Sequence, residues 1–158
     1  KGTVNKLNIS IVGDLKYSRT VHSLVRLISN YDVTFNFVST EQLSLDENTV
    51  YFLKQRNILY NTYKSINEVI ENTDILYMTR IQKERFNGEV LDINFIEKNL
   101  YLRQDNLTNA KDNMAIMHPL PRNREIHPNV DNNHRCHYFK QMKYGVDIRM
   151  AIISSLVA

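Results

Sequence analysis

The chain has 158 residues, 42% of them hydrophobic and 23% charged, which fits one globular domain with a sizeable core rather than a disordered segment. The net charge is only +3, and no long block of Lys or Arg is present, so nucleic-acid binding gets little support. No apolar run approaches the roughly 18 residues of a membrane span. Cys136 is the sole cysteine, which rules out an internal disulfide and points to a reducing, cytoplasmic compartment. Because the chain begins at Lys1 rather than Met, its natural N-terminus is expected to be missing, along with any organellar targeting sequence it carried.

Short apolar runs alternate with helical patterns through the first half, the signature of a parallel α/β sheet. Ile9 to Val12 reads as a buried strand ending at Gly13-Asp14. Val21, Leu24, Val25 and Ile28 follow at i, i+3, i+4 and i+7, one apolar stripe of a helix. Val33 to Val38 is a second strand. Ser44-Leu45-Asp46-Glu47 has the spacing of a capping box and predicts a helix running to about Arg56. A short third strand is expected from Ile58 to Thr62. Ser65 to Glu68 repeats the capping spacing and opens a helix ending near Asn72. Ile75 to Thr79 is the fourth strand, and Ala115 to His118 the fifth. Between them, Lys83 to Asp92 reads as a mobile loop and Leu107 to Asn113 as a short helix. A helix from about Ile148 to Val157 closes the chain, apolar around most of its circumference. Such a helix needs cover on more than one side, either from this domain or from a domain absent from the chain.

A doubly wound sheet binds ligands outside the carboxyl ends of its strands, where the strand order reverses. With the common order 3-2-1-4-5, that switch lies between strands one and four. Strand one leads into Lys16-Tyr17-Ser18-Arg19-Thr20 at a helix N-terminus, strand four into Arg80, and strand five into Pro119-Leu120-Pro121-Arg122. Cations on three segments thus converge near a helix dipole that favours anions. Two arginines suit a ligand with two carboxylates, since each planar guanidinium grips one carboxylate through paired hydrogen bonds. The alternative is that Arg19 and Arg80 are solvated loop residues in ordinary ion pairs, and geometry by itself reaches only an anion-binding crevice. A dinucleotide site fits poorly, because Gly13 stands alone beside bulky Leu15, Lys16 and Tyr17. Leu120-Pro121 is a candidate cis peptide, two prolines simply ending a strand being the alternative. His118 reads as a hydrogen-bonded packing residue or a group for acid-base work. His134, Cys136 and His137 do not make a zinc set, since neighbours 136 and 137 diverge and no second cysteine exists. No cofactor, no metal and no covalent intermediate are expected.

Three of these segments also carry a resemblance. Val12-Gly13-Asp14-Leu15-Lys16-Tyr17-Ser18-Arg19-Thr20-Val21-His22-Ser23, then Asp74 to Phe86 around Thr79-Arg80-Ile81-Gln82-Lys83-Glu84-Arg85, then Met117-His118-Pro119-Leu120-Pro121-Arg122 resemble the aspartate carbamoyltransferases in order and spacing. Tyr138-Phe139-Lys140-Gln141, leading to Arg149, resembles the approach to that family's last helix. The relative that acts on ornithine would carry His-Cys-Leu-Pro where this chain has His118-Pro119-Leu120-Pro121.

The resemblance implies an α/β fold, a doubly wound, mainly parallel five-stranded Rossmann-like sheet flanked by helices, with residues 1–158 as the aspartate-binding domain. It implies that Arg19 and Arg80 bind the carboxylates of L-aspartate, with Gln82 helping to place it. The backbone at Pro119 and Leu120, shaped by a cis bond to Pro121, would face the carbamoyl group. Glu84 would brace Arg80, Lys16 and Arg85 would join ion pairs of a closed form, and Tyr17 and Thr20 would support the loop. The Ser-Thr-Arg-Thr signature by which the family's other half binds carbamoyl phosphate is not found. The expected partners are therefore L-aspartate, carbamoyl phosphate through a missing N-terminal domain, and two further copies in a homotrimer. A non-catalytic dicarboxylate-binding or assembly domain of the same fold is the alternative.

Overall fold

The computed structural model describes residues 2–81 and 91–157. They form a five-stranded, all-parallel sheet in the order β3-β2-β1-β4-β5, with β1 at Leu7–Val12, β2 at Val33–Val38, β3 at Tyr60–Tyr63, β4 at Ile75–Met78 and β5 at Ala115–Met117. The doubly wound reading is therefore correct. The order reverses between β1 and β4, where Val12 pairs in register with Met78.

Alternation along β1 divides the core. Ile9 and Ile11 face a cluster with Phe35, Phe37, Val25 and Leu53, covered by α1 (Arg19–Ile28) and α2 (Glu47–Gln55). Val12 faces the opposite cluster, where Val38, Leu76, Met78 and Ile116 pack under Ile66, Ile70 and Ile96. Phe35 and Phe37 are essentially fully buried, with ring centroids 5.5 Å apart. Each buried aromatic of this kind contributes about 1.5–3 kcal/mol. Ser10 is the polar exception in the middle strand, and its hydroxyl meets that of Thr73 at 2.6 Å.

Several local expectations are corrected. The Ser44 capping box does not form: α2 begins after Asp46, whose carboxylate accepts from the Thr49 amide at 3.0 Å, while the Ser44 hydroxyl donates to the Glu41 carbonyl. The Ser65 box does form, yet it opens only two successive 3-10 turns, Ile66–Glu68 and Ile70–Asn72. The segment is too short to repay nucleation of an α-helix. A helix the alternation did not reveal, α3 (Ile93–Asn99), follows the Asp92 cap, whose carboxylate accepts from the Phe95 amide. The helix expected at 107–113 is instead a 3-10 turn at Gln104–Leu107. The expected loop from Lys83 lies outside the described residues up to 90.

The last helix, α4, spans Tyr138–Val157 and starts ten residues before the apolar pattern suggests. Gly145 inside it, unfavourable by about 1 kcal/mol relative to Ala, makes that first half look like loop. Tyr138 is buried, but Ile148, Met150, Ile152, Ile153 and Leu156 are 52–79% exposed. Of the two ways to cover this helix, burial inside the domain is not what the described residues show.

Candidate functional site

Gly13 makes the switch between β1 and β4 possible. Its φ is +115°, and a Cβ there would sit 2.6 Å from Thr79 Oγ1 and 2.7 Å from the Thr79 carbonyl oxygen. A glycine is needed both for the backbone angle and for the close approach of the two strand ends. The Thr79 amide and hydroxyl each donate to the Val12 carbonyl at 2.9 Å, tying the ends together. The Leu15 and Lys16 amides then donate to the Leu43 carbonyl, turning the chain toward α1. Tyr17 N donates to Asp14 Oδ1 at 2.8 Å, which closes the turn.

Past these ends lies an open cleft of about 370 Å³, lined by Ser18, Arg19, Thr20, Arg80, His118, Pro119, Leu120 and Pro121. Three separate segments therefore meet at one place, as the fold logic required. Arg19 is exposed at the first position of α1 and Arg80 is half-buried just past β4. Together they give the cleft two fixed positive charges beside a helix N-terminus, a setting for a dianion. A larger groove of about 540 Å³, near Leu7, Leu24, Leu27 and Ile75, has no charged side chain in its lining among the described residues. It cannot select an ionic ligand.

The predicted residues divide in a definite way. Arg19, Thr20, Arg80, Pro119, Leu120 and Pro121 all line the cleft. Lys16 and Tyr17 stand on the loop leading to it but do not line it, and the Lys16 ammonium rests 5.1 Å from the Tyr17 ring centroid. Gln82, Glu84 and Arg85 lie outside the described residues. Arg122, the third expected cation, is turned away: its guanidinium forms a paired hydrogen bond with Asp131 and stacks on the Tyr138 ring. Among the described residues, the basic side chains lining the cleft are thus Arg19, Arg80 and His118.

Thr20 has a role that its exposure conceals. It sits beside Tyr77 of β4, whose phenol is pushed above its usual range by burial and drawn partly back by this neighbouring hydroxyl. This docks the start of α1 on the strand that delivers Arg80. His22 does a similar service from one turn later. Its Nε2 lies 3.1 Å from the Leu15 carbonyl and 3.2 Å from Asp46 Oδ2, bracing the loop against α2. Burial would raise the Asp46 carboxyl, but hydrogen bonds from Thr49 and the proximity of His22 hold it below the usual range.

The third wall is built on an unusual backbone. The Leu120-Pro121 peptide is cis, and Leu120 has φ +51°, the left-handed region that a residue with a Cβ adopts at a cost of about 1–2 kcal/mol. The His118 amide donates to the Gln141 side chain at 3.0 Å, anchoring the segment to α4. The His118 ring lies between Glu125, at 2.9 Å from Nε2, and the Leu120 amide, at 2.8 Å from Nδ1. His118 and Glu125 are only 1% and 4% exposed along their side chains. Burial acts to raise the Glu125 carboxyl, yet hydrogen bonds from His118 and the Asn123 amide bring it below the ordinary carboxylate range. Glu125 and His22 escaped the sequence reading. Their partners are distant or irregularly spaced, so no periodicity marks them.

Comparison with known proteins agrees with this geometry. Residues 5–156 match the family described as aspartate/ornithine carbamoyltransferase, Asp/Orn binding domain. The chain is 44% identical over 153 residues to the multifunctional protein pyr1-3 of Dictyostelium discoideum, covering 97% of this chain and 7% of that protein. It is 40% identical over 158 residues to the aspartate carbamoyltransferase catalytic subunit of Bacteroides fragilis, covering 99% of this chain and 51% of that subunit. Aspartate transcarbamoylase from Trypanosoma cruzi, solved in complex with N-(phosphonacetyl)-L-aspartic acid, superposes with a TM-score of 0.88 at 33% identity, over 96% of this chain and 50% of that one. The chain thus spans about half the length of the catalytic subunit it matches and a small part of the multifunctional protein.

Proposed function

The chain belongs to the aspartate/ornithine carbamoyltransferase family as its Asp/Orn binding domain, and on that premise we propose that it supplies the L-aspartate half of an aspartate carbamoyltransferase site. The reaction joins the amine of L-aspartate to the carbonyl carbon of carbamoyl phosphate. The C–N bond forms as the C–O bond to phosphate breaks, the amine gives up a proton, and N-carbamoyl-L-aspartate and phosphate leave. The product feeds pyrimidine synthesis.

The observation that carries the reading is the meeting of Arg19 and Arg80 with the Pro119-Leu120 backbone in one cleft. In this reading each guanidinium grips one carboxylate of aspartate, which leaves the amine as the unclaimed end, directed toward the third wall. Ornithine has one carboxylate and a cationic side chain, so a second arginine would repel it rather than hold it. Orientation of this kind is the larger part of catalysis when no covalent intermediate is made, because the bimolecular step becomes effectively unimolecular. Gln82, Glu84 and Arg85 belong to the same reading as aspartate-placing and closure residues.

The reading also holds that a second domain brings carbamoyl phosphate, that the assembled enzyme is a homotrimer, and that it works in the cytoplasm. The chain's coverage of about half of a catalytic subunit supports the first of these. The test is reconstitution. Co-expression with a carbamoyl phosphate domain should yield carbamoyl aspartate from aspartate and carbamoyl phosphate, and Arg80→Ala should lower kcat/KM for aspartate by at least about a hundredfold, the loss of two charge-assisted hydrogen bonds. A properly assembled protein that makes no product would leave only a dicarboxylate-binding or assembly domain.

A further inference from the structure

The His118–Glu125 pair is more deeply buried than the cleft requires, and its hydrogen bonds fix a protonation state. A backbone N–H can only donate. The Leu120 amide lies 2.8 Å from His118 Nδ1, so Nδ1 must be the unprotonated nitrogen that accepts. The ring proton therefore sits on Nε2, where Glu125 Oε1 accepts it at 2.9 Å. A second proton on the ring would set Nδ1–H against the Leu120 N–H, two donors face to face. Glu125 is itself held from a second direction, because the Asn123 amide donates to the same Oε1 at 3.0 Å. The ring cannot turn over without breaking both of its own hydrogen bonds, to Glu125 and from Leu120.

What the ring holds is the part of the cleft least able to hold itself. Leu120 has a left-handed backbone and lines the site together with Pro119 and Pro121. A non-glycine residue keeps that conformation only where its surroundings over-determine it. Here the surrounding group is an imidazole acceptor, oriented in turn by a carboxylate. The same logic, a carboxylate fixing the tautomer of a histidine, recurs wherever a ring nitrogen has to present one particular face.

We propose that Glu125 and His118 form a buried positioning relay for carbamoyl transfer, in which the carboxylate fixes the Nε2–H tautomer and Nδ1 holds the Leu120 amide, so that the Pro119-Leu120 backbone keeps its shape toward the reacting group. The relay rests on the carbamoyltransferase reading. His118 is a positioning residue in it and moves no proton. Both ring nitrogens are engaged within the protein, Nε2 by Glu125 and Nδ1 by the Leu120 amide, and the Leu120 bond explains why a histidine stands there.

Two exchanges at position 118 separate the bonds. Asn places its amide oxygen where Nδ1 lies and can still accept from Leu120, whereas Gln reaches the place of Nε2, keeping a donor for Glu125 and leaving the Leu120 amide without its acceptor. In the full-length protein carrying this domain, His118→Gln should lower kcat by about a hundredfold with KM for aspartate changed less than about threefold, as misplacement near the reacting atoms does. His118→Asn should recover kcat to within about fivefold of wild type. Magic-angle-spinning NMR of the wild-type protein labelled with 15N-histidine should show the His118 ring protonated at Nε2 alone.

Equal losses in the Asn and Gln variants would overturn the relay. So would an undiminished His118→Gln enzyme, or a ring protonated at Nδ1. The NMR measurement needs no variant and stands even where a substituted chain fails to fold. A wild-type enzyme that makes no carbamoyl aspartate defeats the proposed function instead, a result distinct from a wrong tautomer.

Discussion

Replacing Gly13 with Ala puts a methyl group 2.6 Å from Thr79 Oγ1 and 2.7 Å from the Thr79 carbonyl oxygen. Both distances are far inside van der Waals contact, and the second partner is backbone, which cannot swing aside. The φ of +115° adds a second cost, about 1–2 kcal/mol for holding an L residue at positive φ. Overpacking of a closed site costs about 1–3 kcal/mol more, so the sum is roughly 2–5 kcal/mol. In a domain of this size each kcal/mol moves Tm by about 2–4 °C, which predicts a drop of roughly 5–20 °C.

Relief of the clash has to move β1 away from β4, the pair that sets Arg19 opposite Arg80, so aspartate KM in the reconstituted enzyme should rise as well. The assay is thermal and urea unfolding of wild type, Gly13→Ala and a control, Gly145→Ala. In α4 the added methyl meets only Arg149 Nη1 at 3.4 Å, the far end of a flexible side chain. That control should be neutral or slightly stabilising. A Gly13→Ala protein within about 0.5 kcal/mol of wild type would refute the claim that close strand approach dictates this glycine.

Asp46→Ala should destabilise by about 1–2 kcal/mol in urea unfolding through loss of the α2 cap, while Ser44→Ala, on the cap that does not form, should change little. Asp131 is held below the ordinary carboxylate range first by its hydrogen bonds from Arg122, against burial, with Tyr138 assisting. A carboxylate depressed on folding contributes stability above its unfolded value near pH 4 and loses it as pH falls through the lower folded value, to about the extent linkage allows. The urea midpoint of wild type should therefore decline steeply in acid, and Asp131→Asn should be less stable at neutral pH with a flatter acid limb. Burial pushes the Cys136 thiol above its usual range, with neighbouring Tyr138 opposing, so iodoacetamide should modify it more slowly in the native protein than in urea at neutral pH. For the reconstituted enzyme, analytical ultracentrifugation should find three copies per particle, and a monomer that makes product would remove the trimer from the reading.

The parts of the fold that were legible are those whose signal is local. β2 was read residue for residue, because Val33, Phe35 and Phe37 alternate with Thr34 and Asn36 at the two-residue period of a strand. α1 was read from a single apolar stripe. The misreadings share a cause. Ser44 and Asp46 both have capping chemistry, and which one caps depends on where Leu43 and Leu53 are drawn into the core, one on each face of the sheet. α4 was shortened because Gly145 interrupts its pattern, and α3, with seven residues, is too short for a period to show.

For the site, residue type and strand-end position were enough to single out Arg19, Arg80 and Pro119 to Pro121, since charge and turn chemistry are properties of the residues themselves. The dismissal of Arg122 from the cleft was not legible, because Asp131 and Tyr138, nine and sixteen residues away, capture its guanidinium. Nor was the setting of His118 legible. Its chemistry is decided by a carboxylate seven residues on, in an irregular loop, and by a backbone amide in a left-handed turn. A sequence carries the local preferences of each residue and the order in which segments follow one another, and for this chain those determined the sheet and the place of its crevice. Which polar groups meet inside is a matter of long-range packing, where each buried donor must find an acceptor, and only the folded chain decides that pairing.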